Sequence, residues 1–297
     1  MKSRFALKFA CLAMGVATAA MSTACGGSED SGKPEVVAST NVWGAVAAAI
    51  AGSDAEVTSI ISDPSADPHS HETSAVESAK ISDAELIVYN GGGYDEFIDK
   101  AIQGRDKRTV DAFESRADAS DENEHVWYDV ATVATVADRI AVALGEIDAE
   151  HAAGYAERAA GFTARLTGIS AITGKIAAEH PGTPVLQTEP LAHYLLLAAG
   201  FADRTPAEFQ EAIEQETDPA PAAVAATRDL LTGKQVRALV YNVQTQDKIT
   251  RDLRDIARAN GVAVVEVTET LPDGVDYIQW QINNAEALAS ALGVSAR

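Results

Sequence analysis

Tyr155, Ala159, Phe162, Leu166, Ile169, Thr173 and Ile176 recur at spacings of three and four, which places them on one stripe of an α-helix. No proline interrupts 148–180, so the pattern predicts one long helix there. Asp148 reads as its N-cap, because a short carboxylate can accept from the free N–H groups of a first turn, and Pro181-Gly182 reads as its stop. At about 1.5 Å per residue such a helix spans roughly 50 Å, enough to serve two lobes. Gly154, Gly161, Gly168 and Gly174 lower its intrinsic propensity but permit close packing.

On either side of this helix, short apolar runs alternate with amphipathic ones. Before it, strands at 34–39, 56–61 and 86–89 alternate with helices at 41–52, 74–82, 94–102 and 130–144. After it, strands at 184–187, 238–241 and 262–267 alternate with helices at about 190–199, 206–215, 247–260 and 277–292. The alternation implies parallel sheets covered on both faces. The expected fold is α/β: βα lobes at 34–147 and 181–297, joined by the helix at 148–180. The lobes are alike in pattern only, with no strong sequence repeat. Two breaks interrupt the first lobe: a loop at 62–72, rich in Pro, Asp and Ser, and the run Asn90-Gly91-Gly92-Gly93.

The first residues change the picture. Lys2, Arg4 and Lys8 precede an uncharged run at 9–24, the layout of a signal peptide at 1–24 and hence of an exported protein. No other uncharged apolar run approaches the roughly 20 residues needed to span a bilayer. Of two cysteines, Cys11 lies in the signal, so a mature chain keeps only Cys25 and forms no internal disulfide. Ser22-Thr23-Ala24-Cys25-Gly26 resembles a bacterial lipobox, with Ser22 where Leu is usual, and implies lipidation of Cys25. An ordinary signal peptide that leaves an odd free Cys is the alternative. The segment 25–33 reads as a flexible tether on the outer face of the cytoplasmic membrane.

With 297 residues, 46% of them hydrophobic, the chain can build two cores. Its formal net charge is −21, and it becomes three units more negative when Lys2, Arg4 and Lys8 leave with the signal. Such a field disfavours nucleic acid as a partner and favours cations.

In parallel α/β sheets, ligands bind beyond the carboxyl ends of strands. The strand ending at Ile61 feeds the loop with His69, the one ending at Gln187 is followed by Glu189, and the one ending at Val267 by Glu269. His125 follows an acidic segment at 118–124. Imidazole nitrogen and carboxylate oxygen are ligands for zinc, manganese and iron. Taken singly, the same residues have plainer roles: His69 as a cap, His125 as a packed histidine beside Trp127, Glu189 as a first-turn carboxylate before Pro190, Glu269 as a solvated turn acid. His71 and His193 are possible ligands but read rather as groups supporting the site or facing solvent, and His151 and His180 as surface residues.

Asp67-Pro68-His69-Ser70-His71-Glu72, Glu124-His125-Val126-Trp127, Glu189-Pro190-Leu191-Ala192-His193-Tyr194 and Thr268-Glu269-Thr270-Leu271-Pro272, together with the long helix, resemble the metal-binding lipoproteins of zinc and manganese ABC importers. The likeness covers essentially the whole mature chain. It implies a periplasmic-binding-protein-like fold with a helical backbone, and His69, His125, Glu189 and Glu269 as ligands of one Mn²⁺ or Zn²⁺. It further implies a monomer that delivers the ion to a membrane permease. Family members usually carry Asp at the last position and an aromatic where His71 stands. A Glu at the third position and an acidic segment without His before the second ligand lean toward manganese, while the Irving–Williams order favours zinc at any mixed nitrogen and oxygen site.

A zinc hydrolase is the rival reading, but His-Glu-x-x-His is absent and His69-Ser70-His71-Glu72 lacks its spacing. A surface adhesin is compatible with the anchor. Four protein ligands that fill a coordination sphere leave little room for a reactive water, so a carrier is expected rather than an enzyme.

Overall fold

In chain order the first half consists of β1 (Glu35–Thr40), α1 (Asn41–Ala51), β2 (Glu56–Ile61), α2 (Ala75–Asp83), β3 (Leu86–Tyr89), α3 (Glu96–Ile102), β4 (Thr109–Asp111), α4 (Val130–Ile147) and α5 (Ala152–Glu179). The second half consists of β5 (Pro184–Gln187), α6 (His193–Ala198), β6 (Ala202–Asp203), α7 (Ala207–Glu214), α8 (Pro221–Thr232), β7 (Ala238–Asn242), α9 (Lys248–Ala259), β8 (Ala263–Val267) and α10 (Tyr277–Leu292). These elements come from a computed structural model that describes residues 32–63, 66, 68–215 and 217–294. The segment expected as a signal peptide, Cys25 and the expected tether up to residue 31 lie outside the described residues, as do Pro64, Ser65 and Asp67 of the first loop.

The strands form two wholly parallel sheets, ordered β2-β1-β3-β4 and β6-β5-β7-β8. In each, the chain steps to one side of its first strand and then returns to the other. The crevices at the carboxyl ends therefore open between β1 and β3 and between β5 and β7.

Successive strand side chains point to opposite faces, and here both faces are apolar, as a parallel sheet covered on both sides requires. Val36, Ala38, Leu86 and Val88 face a cluster that also takes Val185, Ala238 and Val240 of the second sheet and the α5 stripe. Val37, Ile87 and Tyr89 face an outer cluster with Ile81, Phe97 and Ile98. Leu186, Leu239 and Tyr241 face another, with Phe209, Leu231 and Leu253.

The stripe read from the sequence is the buried face of α5: Tyr155, Ala159, Phe162, Leu166, Ile169, Thr173 and Ile176. The helix has 28 residues, about 42 Å long. Its start corrects the expectation at Asp148. The apolar pattern of α4 runs on to Ile147, so Asp148 ends that helix, with its N–H bonded to the carbonyl of Leu144. The Asp148 carboxylate then accepts from His151 Nδ1 at 2.6 Å and the Tyr155 hydroxyl at 3.0 Å. The spine is tied to both halves: Arg158 donates to the carbonyls of Ile50 and Ala51 at the C-terminal end of α1, at 2.6 and 3.0 Å, and Arg165 pairs at 3.0 Å with Asp276, the N-cap of α10.

Two strands and one α-helix exceed the sequence expectation: β4, the two-residue β6 and α8. The segment expected as one helix at 190–199 divides into a 3₁₀ turn, Pro190–Ala192, and α6.

Candidate metal centre

The site begins with the turn after β3. Gly91, Gly92 and Gly93 all have positive φ, +74°, +68° and +95°, which L side chains rarely adopt. A Cβ at Gly91 would lie 2.4 Å from an Asp111 carboxylate oxygen, and one at Gly92 2.6 Å from the Phe113 ring. The buried Asp95 carboxylate holds the turn by accepting from the N–H groups of Asn90 and Gly91 at 2.7 and 2.8 Å. Burial raises its pKa to about 6 despite those bonds. The turn delivers Tyr94, buried, into a ring cluster: its centroid lies 4.7 Å from His69, 4.6 Å from Trp127 and 6.0 Å from His125.

His125 is 1% exposed and precedes the 3₁₀ turn Val126–Tyr128. Its N–H donates to Asn123 Oδ1 at 3.0 Å, and its Nδ1 lies 3.3 Å from the same oxygen. With Nδ1 facing an acceptor, a neutral ring carries its proton there and leaves Nε2 free to ligate. Burial, with His69 and His193 nearby, holds the His125 pKa well below the usual value, so the ring is neutral. Trp127 packs edge-on to it, with centroids 5.1 Å apart.

Among the described residues, His69, Glu124, His125 and Glu214 offer donor atoms that all lie within 4.8 Å of one another. His69 Nε2 is 3.5 Å from Glu124 Oε1, and His125 Nε2 is 3.4 Å from Glu214 Oε1. The structure thus gathers both expected imidazoles, each facing a carboxylate that the motifs did not single out. Glu124 was visible as the neighbour of His125. Glu214, the last residue of α7, sits in no motif, and only the tertiary fold brings it here.

Glu189 and Glu269 stand beside this group rather than within it. Glu189 is 4% exposed and makes no capping bond to the turn that follows; its Oε1 accepts from the Thr245 hydroxyl at 2.6 Å. Glu269, 3% exposed, accepts from Asn242 Nδ2 at 2.7 Å and from the Tyr94 hydroxyl at 3.1 Å. Both are close enough to act on Glu214, whose pKa is pushed up to about 9 by burial and then by the charges of Glu189, Glu124 and Glu269. Glu124 is raised to about 7 by burial and by Asp95. Carboxylates that share a buried space resist joint ionisation, and a divalent cation relieves that repulsion. The donor set of imidazole nitrogens and carboxylate oxygens fits such an ion.

The remaining histidines lie apart. His71 stacks edge-on to Phe97 at 4.7 Å, with Nε2 3.6 Å from Glu77. His193 Nε2 is 2.9 Å from Asp121 Oδ2, a contact between the lobes. Further bridges run from the Tyr194 hydroxyl to the Asn123 carbonyl at 2.8 Å and from Asn123 Nδ2 to the Pro190 carbonyl at 3.0 Å. Asn41 and Leu271 exchange two bonds of 2.9 Å.

Two parallel-sheet lobes spanned by one helix, with imidazoles and carboxylates meeting between them, define a binding protein with a helical backbone. The family described as zinc-uptake complex component A, periplasmic, matches residues 36–291, and the chain belongs to that family. Among solved structures it is similar in fold to the periplasmic zinc binding protein TroA from Treponema pallidum, with a TM-score of 0.74 and 18% identity over 88% of this chain and 99% of that one. The laminin binding protein Lmb of Streptococcus agalactiae, described as a bifunctional protein with adhesin and metal transporting activity, gives 0.73 and 21% over 88% and 98%. FpvC from Pseudomonas aeruginosa, solved with Ni²⁺, gives 0.72 and 20% over 88% and 97%. No curated protein sequence matches the chain.

Proposed function

We propose that this chain is the extracytoplasmic receptor of a metal ABC importer, which captures Mn²⁺ or Zn²⁺ between its lobes and delivers it to a membrane permease. The observation that carries the reading is the convergence of His69 and a neutral, buried His125 on carboxylates from both lobes. The proposed ligands are His69, His125, Glu189 and Glu269, with Asn123, Tyr94, Asn242 and Thr245 orienting them through the bonds described above. Trp127 and Tyr94 exclude water, which strengthens the electrostatics of the cleft. Cys25 carries the lipid that holds the receptor at the outer face of the membrane.

Release follows from a modest tilt of the lobes about α5, since a continuous helix resists wide hinge bending. Such a shift withdraws Glu189 and Glu269 from the two imidazoles. Metal-free and metal-bound structures related by a wide lobe rotation would contradict it.

The test is native mass spectrometry of the protein offered Mn²⁺ and Zn²⁺ in competition, alongside His69→Ala and Glu189→Ala. One ion per chain, lost in both variants, is expected. Unaltered stoichiometry and affinity in the variants would refute the proposed ligand set. The mass of the membrane-extracted chain reports whether Cys25 is acylated.

A further inference from the structure

Glu214 is the residue of the second lobe whose carboxylate enters the group with His69, Glu124 and His125. It does so from the C-terminal end of α7, a helix whose Phe209 and Ile213 anchor it in the outer core of that lobe. Its Oε1 lies 3.4 Å from His125 Nε2. Its Oε2 is buried with no hydrogen-bond partner. No Lys or Arg pairs with it among the described residues; its close contact is with the His125 ring. An oxygen removed from water without a donor costs free energy, and a cation held beside it supplies the missing partner.

We propose that Glu214 is a direct ligand of the captured ion and tilts the selectivity of the cleft toward Mn²⁺ over Zn²⁺. This rests on the receptor reading above and adds to it a donor from a helix that bears none of the four proposed ligands. With Glu214, oxygen donors outnumber nitrogen, and the coordination number rises beyond four. Zn²⁺ gains little from an extra carboxylate, because it is satisfied by four tetrahedral ligands. Mn²⁺ is harder, accepts oxygen ligands at higher coordination numbers, and gains more. Because α7 is seated in the second lobe while His125 belongs to the first, the same carboxylate bridges the lobes when the ion is held.

The experiment compares wild type with Glu214→Gln, which keeps the shape and removes the charge, and Glu214→Asp, which keeps a shortened carboxylate. Mn²⁺ and Zn²⁺ affinities are measured by chelator competition, and coordination number is read from the visible spectrum of the Co²⁺-loaded protein. Expected for Glu214→Gln are a loss of Mn²⁺ affinity of about tenfold or more, a much smaller change for Zn²⁺, and a change of the Co²⁺ spectrum from weak high-coordinate bands to intense tetrahedral ones. Glu214→Asp is expected to restore part of the Mn²⁺ affinity. Equal losses for both ions with an unchanged Co²⁺ spectrum would overturn the proposal and leave Glu214 as a group that only orients His125. Wild-type behaviour in Glu214→Gln would also overturn it. His69→Ala separates the two levels: if it loses the ion while Glu214→Gln does not, only the role of Glu214 falls, and if it binds as wild type, the receptor site itself falls.

Discussion

The hydroxyl of Tyr94 donates a 3.1 Å hydrogen bond to Oε2 of Glu269, joining residues 175 positions apart and in different lobes. The same ring packs edge-on against His69 and at a tilt against Trp127, so one side chain supports an imidazole of the first lobe and steers a carboxylate of the second. Tyr94→Phe keeps the packing and deletes the bond. Partners of this kind contribute about 10- to 100-fold to metal affinity. Release of the ion to excess chelator, followed by stopped flow, is expected to speed up about tenfold. Unchanged release kinetics would show that Tyr94 plays no part in holding the ion.

The turn that delivers Tyr94 tolerates no side chain at Gly92. Its φ of +68° and the 2.6 Å approach to Phe113 oppose a Cβ together. Gly92→Ala is expected to destabilise the metal-free protein by about 1–3 kcal/mol, whereas Gly104→Ala, with equally positive φ but open space around it, costs less. Thermal unfolding of the two variants in chelator provides the comparison.

Beneath the turn, the pKa of Asp95 is raised from 3.8 to about 6. The native state therefore holds this proton more tightly than the unfolded chain does. Below about pH 4 the group is protonated in both states; as pH rises from there to about 6, the unfolded chain ionises first and native stability falls, with the loss complete above that window. The full effect is about 3 kcal/mol at most. Asp95→Asn cannot titrate, so the stability of wild type relative to this variant is expected to decline between pH 4 and pH 6.5 in chelator. A difference that stays flat or grows over that range would show the sign to be wrong.

A ligand that binds only the folded state stabilises it by about 2.7 kcal/mol at one hundred times its Kd. For a chain of this size that corresponds to roughly 5–10 °C in Tm. Mn²⁺ or Zn²⁺ is expected to raise the Tm by this amount, with chelator reversing it, and the increment should vanish in His125→Ala. Calorimetry checks both arms.

The spine was readable because its seven buried residues carry a helical period with nothing else to explain it. The sheets were readable because strands covered on both faces are plain apolar runs. Elsewhere the signal fails for physical reasons. Asp148 looks like a helix start, yet α4 ends and α5 begins within a few residues, and one carboxylate next to two termini does not declare which it serves. The two residues of β6 are too few for any pattern, and α8 opens with Pro-Ala-Ala, where alanines mark no face. His69 announced itself by type and position after a strand, and His125 by type and its place after the acidic segment. Glu214 did not, because a glutamate at the end of an amphipathic helix is ordinary until the opposite lobe arrives.

The shared apolar cluster of β1, β3, α5, β5 and β7 bears on how the protein can be handled. Val88, Leu166 and Val240 belong to that one cluster, so severing the chain within the spine would leave greasy surface bare on each piece. Neither half is a module that could be swapped into a relative by itself, and exchange of specificity between receptors of this kind has to be made residue by residue at the mouth, with the body inherited entire.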